Sequence, residues 1–147
     1  MDNYEKSNSI ENLPSCKLSS ATKKLFISLR DKDKTSQASL QAVADSICTD
    51  LKVPKVYVMF GGVQNNTQVN GKLKSKVLGT YSTGSANIKI FEFTAVKRKE
   101  IAPKTAFDTL LHELMHHFDF KILKLEKSIH SGGFYKRISF LKEMLLS

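Results

Sequence analysis

The stretch Leu110-Leu111-His112-Glu113-Leu114-Met115-His116-His117-Phe118 decides how the rest of the chain must fold. Phe107, Leu110, Leu111, Leu114, Phe118, Ile122 and Leu125 recur at helical spacing through it, which predicts one amphipathic helix. Residues four apart on a helix share a face, with Cβ atoms about 5–6 Å apart, so His112 and His116 can grip a single metal ion. Glu113 lies about 100° round the helix from His112, which leaves its carboxylate beside that ion and within reach of a water there. This is the H-E-x-x-H pattern, in which two neutral imidazoles hold Zn²⁺ and the glutamate serves as general base. Such a short motif also arises by chance, and the competing reading is a pair of ordinary histidines on a half-buried helix. Two histidines in register with a glutamate between them favour the metal site.

The 147 residues suit one domain with one core, and 41% hydrophobic with 25% charged residues is an ordinary globular balance. No apolar run approaches the roughly 18 residues of a membrane span. Met1-Asp2-Asn3-Tyr4-Glu5-Lys6 lacks the basic-then-apolar layout of a secretory signal, so a cytoplasmic, monomeric protein is the expectation. Cys16 and Cys48 stand far apart, without C-x-x-C spacing or a further pair, and are expected unpaired. A net charge of +9 and a pI near 9.6 favour an acidic partner such as nucleic acid. The lysines are dispersed (Lys72, Lys74, Lys76, Lys97, Arg98, Lys99, Lys121, Lys124, Lys127), so a merely solvated surface remains the alternative.

Working outward, residues 1 to about 19 are polar, contain Pro14 and show no apolar period, which predicts a flexible lead-in to a domain over 20–147. A helix is expected from Ser20 through Leu29. A second, capped by Thr35 or Ser36, carries Leu40, Val43, Ala44, Ile47 and Leu51 on one stripe and must stop before Pro54. Val56 to Phe60, closed by Gly61-Gly62, reads as a strand, and Gln64 to Gly71 as an exposed loop. Val77 to Ser82 and Asn87 to Phe93, joined by Thr83-Gly84-Ser85, predict an antiparallel hairpin. Its alternation is imperfect, with Ile88 and Ile90 on one face and Phe91 and Phe93 on the other, which suggests burial on both faces or a bulge near Phe91. Val96 to Ile101 is a basic connection, Pro103 opens the motif helix, which runs to about Lys124, and a last helix spans about Ser131 to Leu145 with Phe134, Ile138, Leu141 and Leu145 inward. The fold class is therefore α+β: N-terminal helices, a small antiparallel sheet of about three strands, the H-E-x-x-H helix and a closing helix, a minimal zincin-like layout.

A catalytic zinc takes three protein ligands and keeps one position open. His117 points about 100° away from its neighbour His116, which suits it to a surface or supporting role. His130, followed by Ser131-Gly132-Gly133-Phe134-Tyr135, can be turned back toward the metal, since its small neighbours permit close approach. Glu126 and Glu143 are weaker competitors, and the positions after His116 do not continue as x-x-G-x-x-H.

These residues resemble the SprT-like (Spartan-type) zinc metallopeptidases. The similarity lies in Thr109-Leu110-Leu111-His112-Glu113-Leu114-Met115-His116, a gap of thirteen residues, then His130-Ser131-Gly132-Gly133-Phe134. Leu78-Gly79-Thr80-Tyr81, a glycine-bearing turn and Asn87-Ile88-Lys89-Ile90 add to it, so that it covers about residues 35–146. The resemblance implies one zinc ion on His112, His116 and His130, peptide hydrolysis with Glu113 as base, and a peptide substrate added along the edge of the hairpin. The Spartan branch cleaves proteins bound on or crosslinked to DNA, which implies DNA as a further partner. Asp108 and Asp119 lie on helix faces from which carboxylates can orient metal-bound histidines, and Tyr135 or Tyr81 could donate to the developing oxyanion. The reading from another class is a basic nucleic-acid-binding module with a structural zinc and no hydrolysis.

Overall fold

Side-chain oxygens set the start of most helices in the computed structural model, which describes residues 2–62, 65–69, 72–93 and 99–147, with backbone pairing alone for 65–69 and 72–77. Asp2 accepts from the Glu5 amide and opens α1 (Asn3–Ser9). Ser19 accepts from Thr22 N and opens α2 (Ser20–Arg30); Ser36 accepts from Ser39 N and opens α3 (Gln37–Leu51). Each cap satisfies one of the amides that a first helical turn leaves without a partner. α3 ends where Lys52 turns left-handed at φ 58°, two residues ahead of Pro54. Pro103, whose missing N–H costs nothing there, starts α4 (Pro103–Lys121), and Ser131 accepts from Phe134 N to open α5 (Gly132–Leu146).

The sheet has the order β1-β5-β4, from β1 (Tyr57–Phe60), β4 (Gly79–Ser82) and β5 (Asn87–Ile90). β4 and β5 form the expected antiparallel hairpin, with Tyr81 opposite Ile88. β1 pairs with β5 in parallel, Val58 beside Ile88, so the sheet is mixed and not wholly antiparallel as expected. Strand direction follows from where the chain re-enters the sheet, and side-chain alternation carries no record of that. β5 is regular only to Ile90; Phe91 leaves the ladder and is buried, its amide on Leu78 O, and Phe93 bridges Glu100, so a strand end accounts for the broken alternation. Between β1 and β4, β2 (Asn65–Val69) falls where a loop was expected and pairs as an antiparallel ribbon with β3 (Lys72–Val77), which takes Val77 from the expected hairpin strand. Gln64, Asn70 and Gly71 of that loop, and residues 96–98 of the basic connection, lie outside the described residues.

α3 covers the outer edge of β1 with side chains. Val58 N donates to Gln41 Oε1 and Phe60 N to Gln37 Oε1, while Gln41 Nε2 donates to Val56 O. An edge strand's backbone groups invite pairing with another chain, and here α3 occupies them. β4 is the edge that remains.

α4 lies at the centre, against α2, α3, α5, β4 and β5. Phe107, Leu110, Leu111, Leu114, Met115 and Phe118 are buried on it with Val43, Ile47, Val58, Ile88 and Ile90 from α3 and the sheet. Gly79 lets β4 come close: a Cβ there would stand 2.8 Å from both Lys89 O and Thr109 Cγ2. The lead-in, expected to be flexible, instead carries α1, which packs on α5, and Leu13, which is buried in the core. The hydrogen bonds that hold α1 in place come from polar side chains and backbone, so an apolar period could not announce it. Cys16 and Cys48 are both free, and burial pushes the Cys48 thiol up to about 12. No helix among the described residues is long and apolar enough to cross a membrane.

Candidate metal centre

α4 presents His112 and His116 one turn apart, and the segment between α4 and α5 brings His130 over them. The His130 Nε2 atom lies 3.2 Å from His112 Nε2 and 3.1 Å from His116 Nε2. The three rings each offer one nitrogen within 4.8 Å of the others, a set that could hold a metal ion. Imidazole nitrogens about 2.0–2.1 Å from a tetrahedral zinc stand about 3.3–3.4 Å apart, so the spacing fits that ion. Phe134 supports all three rings from below, with centroids 5.1, 4.6 and 5.2 Å from those of His112, His116 and His130. Burial, and then the neighbouring imidazoles, push both His112 and His116 down to about 4, which keeps them in the neutral form that binds metal.

The hydrogen-bond partners fix which nitrogen of His116 is bare. Arg137 has only donors, and its Nη2 lies 3.0 and 3.1 Å from the two carboxylate oxygens of Asp119. Burial pushes the Asp119 carboxyl up; the Ser128 hydroxyl and the Arg137 guanidinium oppose this and favour the carboxylate. A carboxylate only accepts, so the Ser128 hydroxyl donates to it at 2.7 Å. The Ser128 oxygen, 2.6 Å from His116 Nδ1, must then accept from Nδ1–H. The Nε2 lone pair is left facing the cluster. Asp119 thus reaches His116 through a serine, and Ser128, which lies between the two last helices, is the residue that sequence reasoning missed. No spacing rule marks it, because the contact depends on the path of the turn after α4.

Asp108 does not reach His112. Its carboxylate is paired with Lys142 at 3.1 Å and lies 3.8 Å from Arg30, tying α4 to α5 and α2. It is a surface ion pair at the rim of the cleft, because its rotamer turns toward those cations. His117 is fully buried and serves no surface role. Its Nε2 lies 2.7 Å from Pro54 O, which can only accept, so Nε2 carries the proton and Nδ1 accepts from the Tyr81 hydroxyl at 2.8 Å. Tyr81 is thereby committed to holding β4 on α4.

Glu113 is 6% exposed and has no hydrogen-bond or ion-pair partner among the described residues. Burial pushes its carboxyl up to about 7. It opens on a cavity of about 610 Å³ lined by Leu78, Gly79, Thr105, Asp108, Thr109, His112, His130 and Tyr135. A second hollow of about 380 Å³ continues along β4 past His116, Tyr81 and Ser128 and shares Gly79, His112, Glu113 and His130 with the first. The cleft therefore passes the three histidines and extends to both sides. Tyr135, half exposed, stands at its mouth with its ring 5.8 Å from that of His130.

No protein-family model, curated protein or solved structure matches this chain.

Proposed function

We propose that this chain is a zinc-dependent endopeptidase, with His112, His116 and His130 as ligands and Glu113 as general base. The observation that carries the reading is a buried carboxylate without a partner, facing a through-going cleft beside three converging imidazole nitrogens. A purely structural metal site has no use for such a group. The likeness of the same residues to the SprT-like family supports the reading.

Zinc at this site would polarise a peptide carbonyl and acidify a coordinated water. Glu113 takes a proton from the attacking water and returns it to the leaving amine. Burial raises the affinity of this carboxylate for a proton, while a cation on the histidines would draw it back toward the ordinary range. Tyr135 holds the available hydroxyl for the developing oxyanion, since that of Tyr81 is engaged by His117. The substrate adds as an extended strand along β4, the edge that α3 leaves open.

Protein substrates on DNA fit the charge distribution. From Leu51 to Phe91 the sequence holds six lysines and no acidic residue. The same feature favours a second reading, a nucleic-acid-binding module with a structural zinc. Salt-sensitive DNA binding that survives Glu113→Gln, with no proteolysis under any condition, would establish the second and exclude the first.

The test of the site is metal content by mass spectrometry for wild type beside His130→Ala. About one zinc per wild-type chain, absent or more weakly held in the variant, is expected; cleavage of casein and of a DNA-bound protein follows. Zinc fully retained without His130 would remove it from the ligand set.

A further inference from the structure

The N-terminal segment meets the metal centre along two routes. In the first, Arg137, buried on α5, donates through Nη1 to the carbonyls of Ser7 at 2.6 Å and Ile10 at 2.7 Å, where α1 ends. Its Nη2 reaches Ser7 Oγ at 3.2 Å and the Asp119 carboxylate, which receives Ser128, which receives His116. An unbroken line of polar contacts thus joins α1 to a ligand ring.

The second route holds the segment that carries His130. Asn3 clasps Lys127 through both amide atoms, donating to its carbonyl at 2.9 Å and accepting from its amide at 3.1 Å. Ser7 Oγ lies 3.0 Å from Ser131 Oγ, and Asn8 Oδ1 accepts from Gly133 N at 3.2 Å. Gly133 has no room for a side chain: a Cβ would collide with the carbonyl oxygens of Ser7 and Asn8. Residues 127, 131 and 133 are therefore pinned on both sides of His130, and Ser128 and His130 are fixed between them.

We propose that the segment Asn3–Leu13 is a positioning clamp for the metal centre, acting on His116 through Arg137, Asp119 and Ser128, and on His130 by pinning the turn that carries it. Ser128, Asp119 and Arg137 are positioning residues, and α1 is part of the site's scaffold. The inference rests on the metal reading above. Groups that orient a ligand from behind commonly alter metal affinity by about 10–100-fold.

The experiment measures zinc dissociation constants by chelator competition on the full chain, with folding followed by circular dichroism and thermal melting. Ser128→Ala is expected to weaken zinc about 10–100-fold, and Ser128→Thr, which keeps the hydroxyl, to restore most of it. The paired change Asn3→Ala with Ser7→Ala removes clamp bonds without touching α4 and is expected to weaken zinc about 10-fold. A purely structural role would lower the melting temperature and leave zinc affinity unchanged. Unchanged affinity in both Ser128→Ala and the paired variant, each folded, overturns the clamp while the metal site stands. No zinc on the folded wild type overturns the metal reading and the clamp with it.

Discussion

Glu113→Gln replaces a proton acceptor, on a side chain only 6% exposed, by an amide of the same shape, so it separates chemistry from binding. Zinc content and fold should be unchanged, while peptide hydrolysis drops by at least about 10²-fold, the lower bound of what a positioned base supplies; undiminished turnover would remove Glu113 from the reaction. The ligands themselves predict a pH effect on the chelator-treated protein. His112 and His116 are held at about 4 in the fold against an ordinary value near 6.5. Between those values the unfolded chain binds more protons at these two rings, so they make stability fall as pH drops from about 6.5 to about 4, opposed in part by Glu113, whose carboxyl the fold raises to about 7. Urea midpoints across that range check this, and His112→Ala should flatten the slope. The placement of His112, Glu113 and His116 round one turn is legible in five consecutive letters, because a helix converts spacing into direction. His117 is not: its burial and its bonds to Tyr81 and Pro54 come from segments 36 and 63 residues away.

Elements meet at the site through close backbone approaches as much as through side chains. β4 lies against α4 only because Gly79 offers no Cβ to Lys89 O and Thr109. Gly79→Ala must push the strand outward, and overpacking of this kind costs about 1–3 kcal/mol; the melting temperature should fall, and peptide cleavage should fall further as the cleft beside Glu113 shifts. A variant as stable and active as wild type would show that β4 has room to move. The β2–β3 ribbon belongs to the DNA proposal. Lys72, Lys74 and Lys76 all fall on β3, in the stretch without acids. Exchanging the three for Ala should reduce the slope of log affinity against log salt by up to about 0.9 for each phosphate that is no longer neutralised, measured by fluorescence anisotropy with a short duplex. An unchanged slope would exclude the ribbon from DNA binding. The positions of α3, α4 and α5 were readable from caps and stripes, since Ser36, Pro103 and Ser131 act on their own neighbourhood, whereas α1 was not. The ribbon was not, because a polar two-stranded unit carries little apolar alternation.

Across the whole molecule, one central helix serves as both core and wall of the cleft. α4 is buried against the sheet and three helices along most of its circumference, and the remaining opening is where His112, Glu113 and His116 face the cleft. Rigidity of that kind suits a site whose ligand nitrogens must hold their spacing. The sequence by itself determined the α+β class, the motif helix, two histidines in register and a third candidate after a gap of thirteen residues. All of these follow from local periodicity, capping and short-range spacing. Only the tertiary structure decided that the sheet is mixed, that Asp108 turns to Lys142 while Asp119 reaches His116 through Ser128, and that α1 bonds to the segment on either side of His130. Those outcomes depend on buried polar bonds between segments far apart in the chain, such as Arg137 with Ser7 and Asp119. Such bonds are single and directional, and they leave no periodic trace in the order of residues.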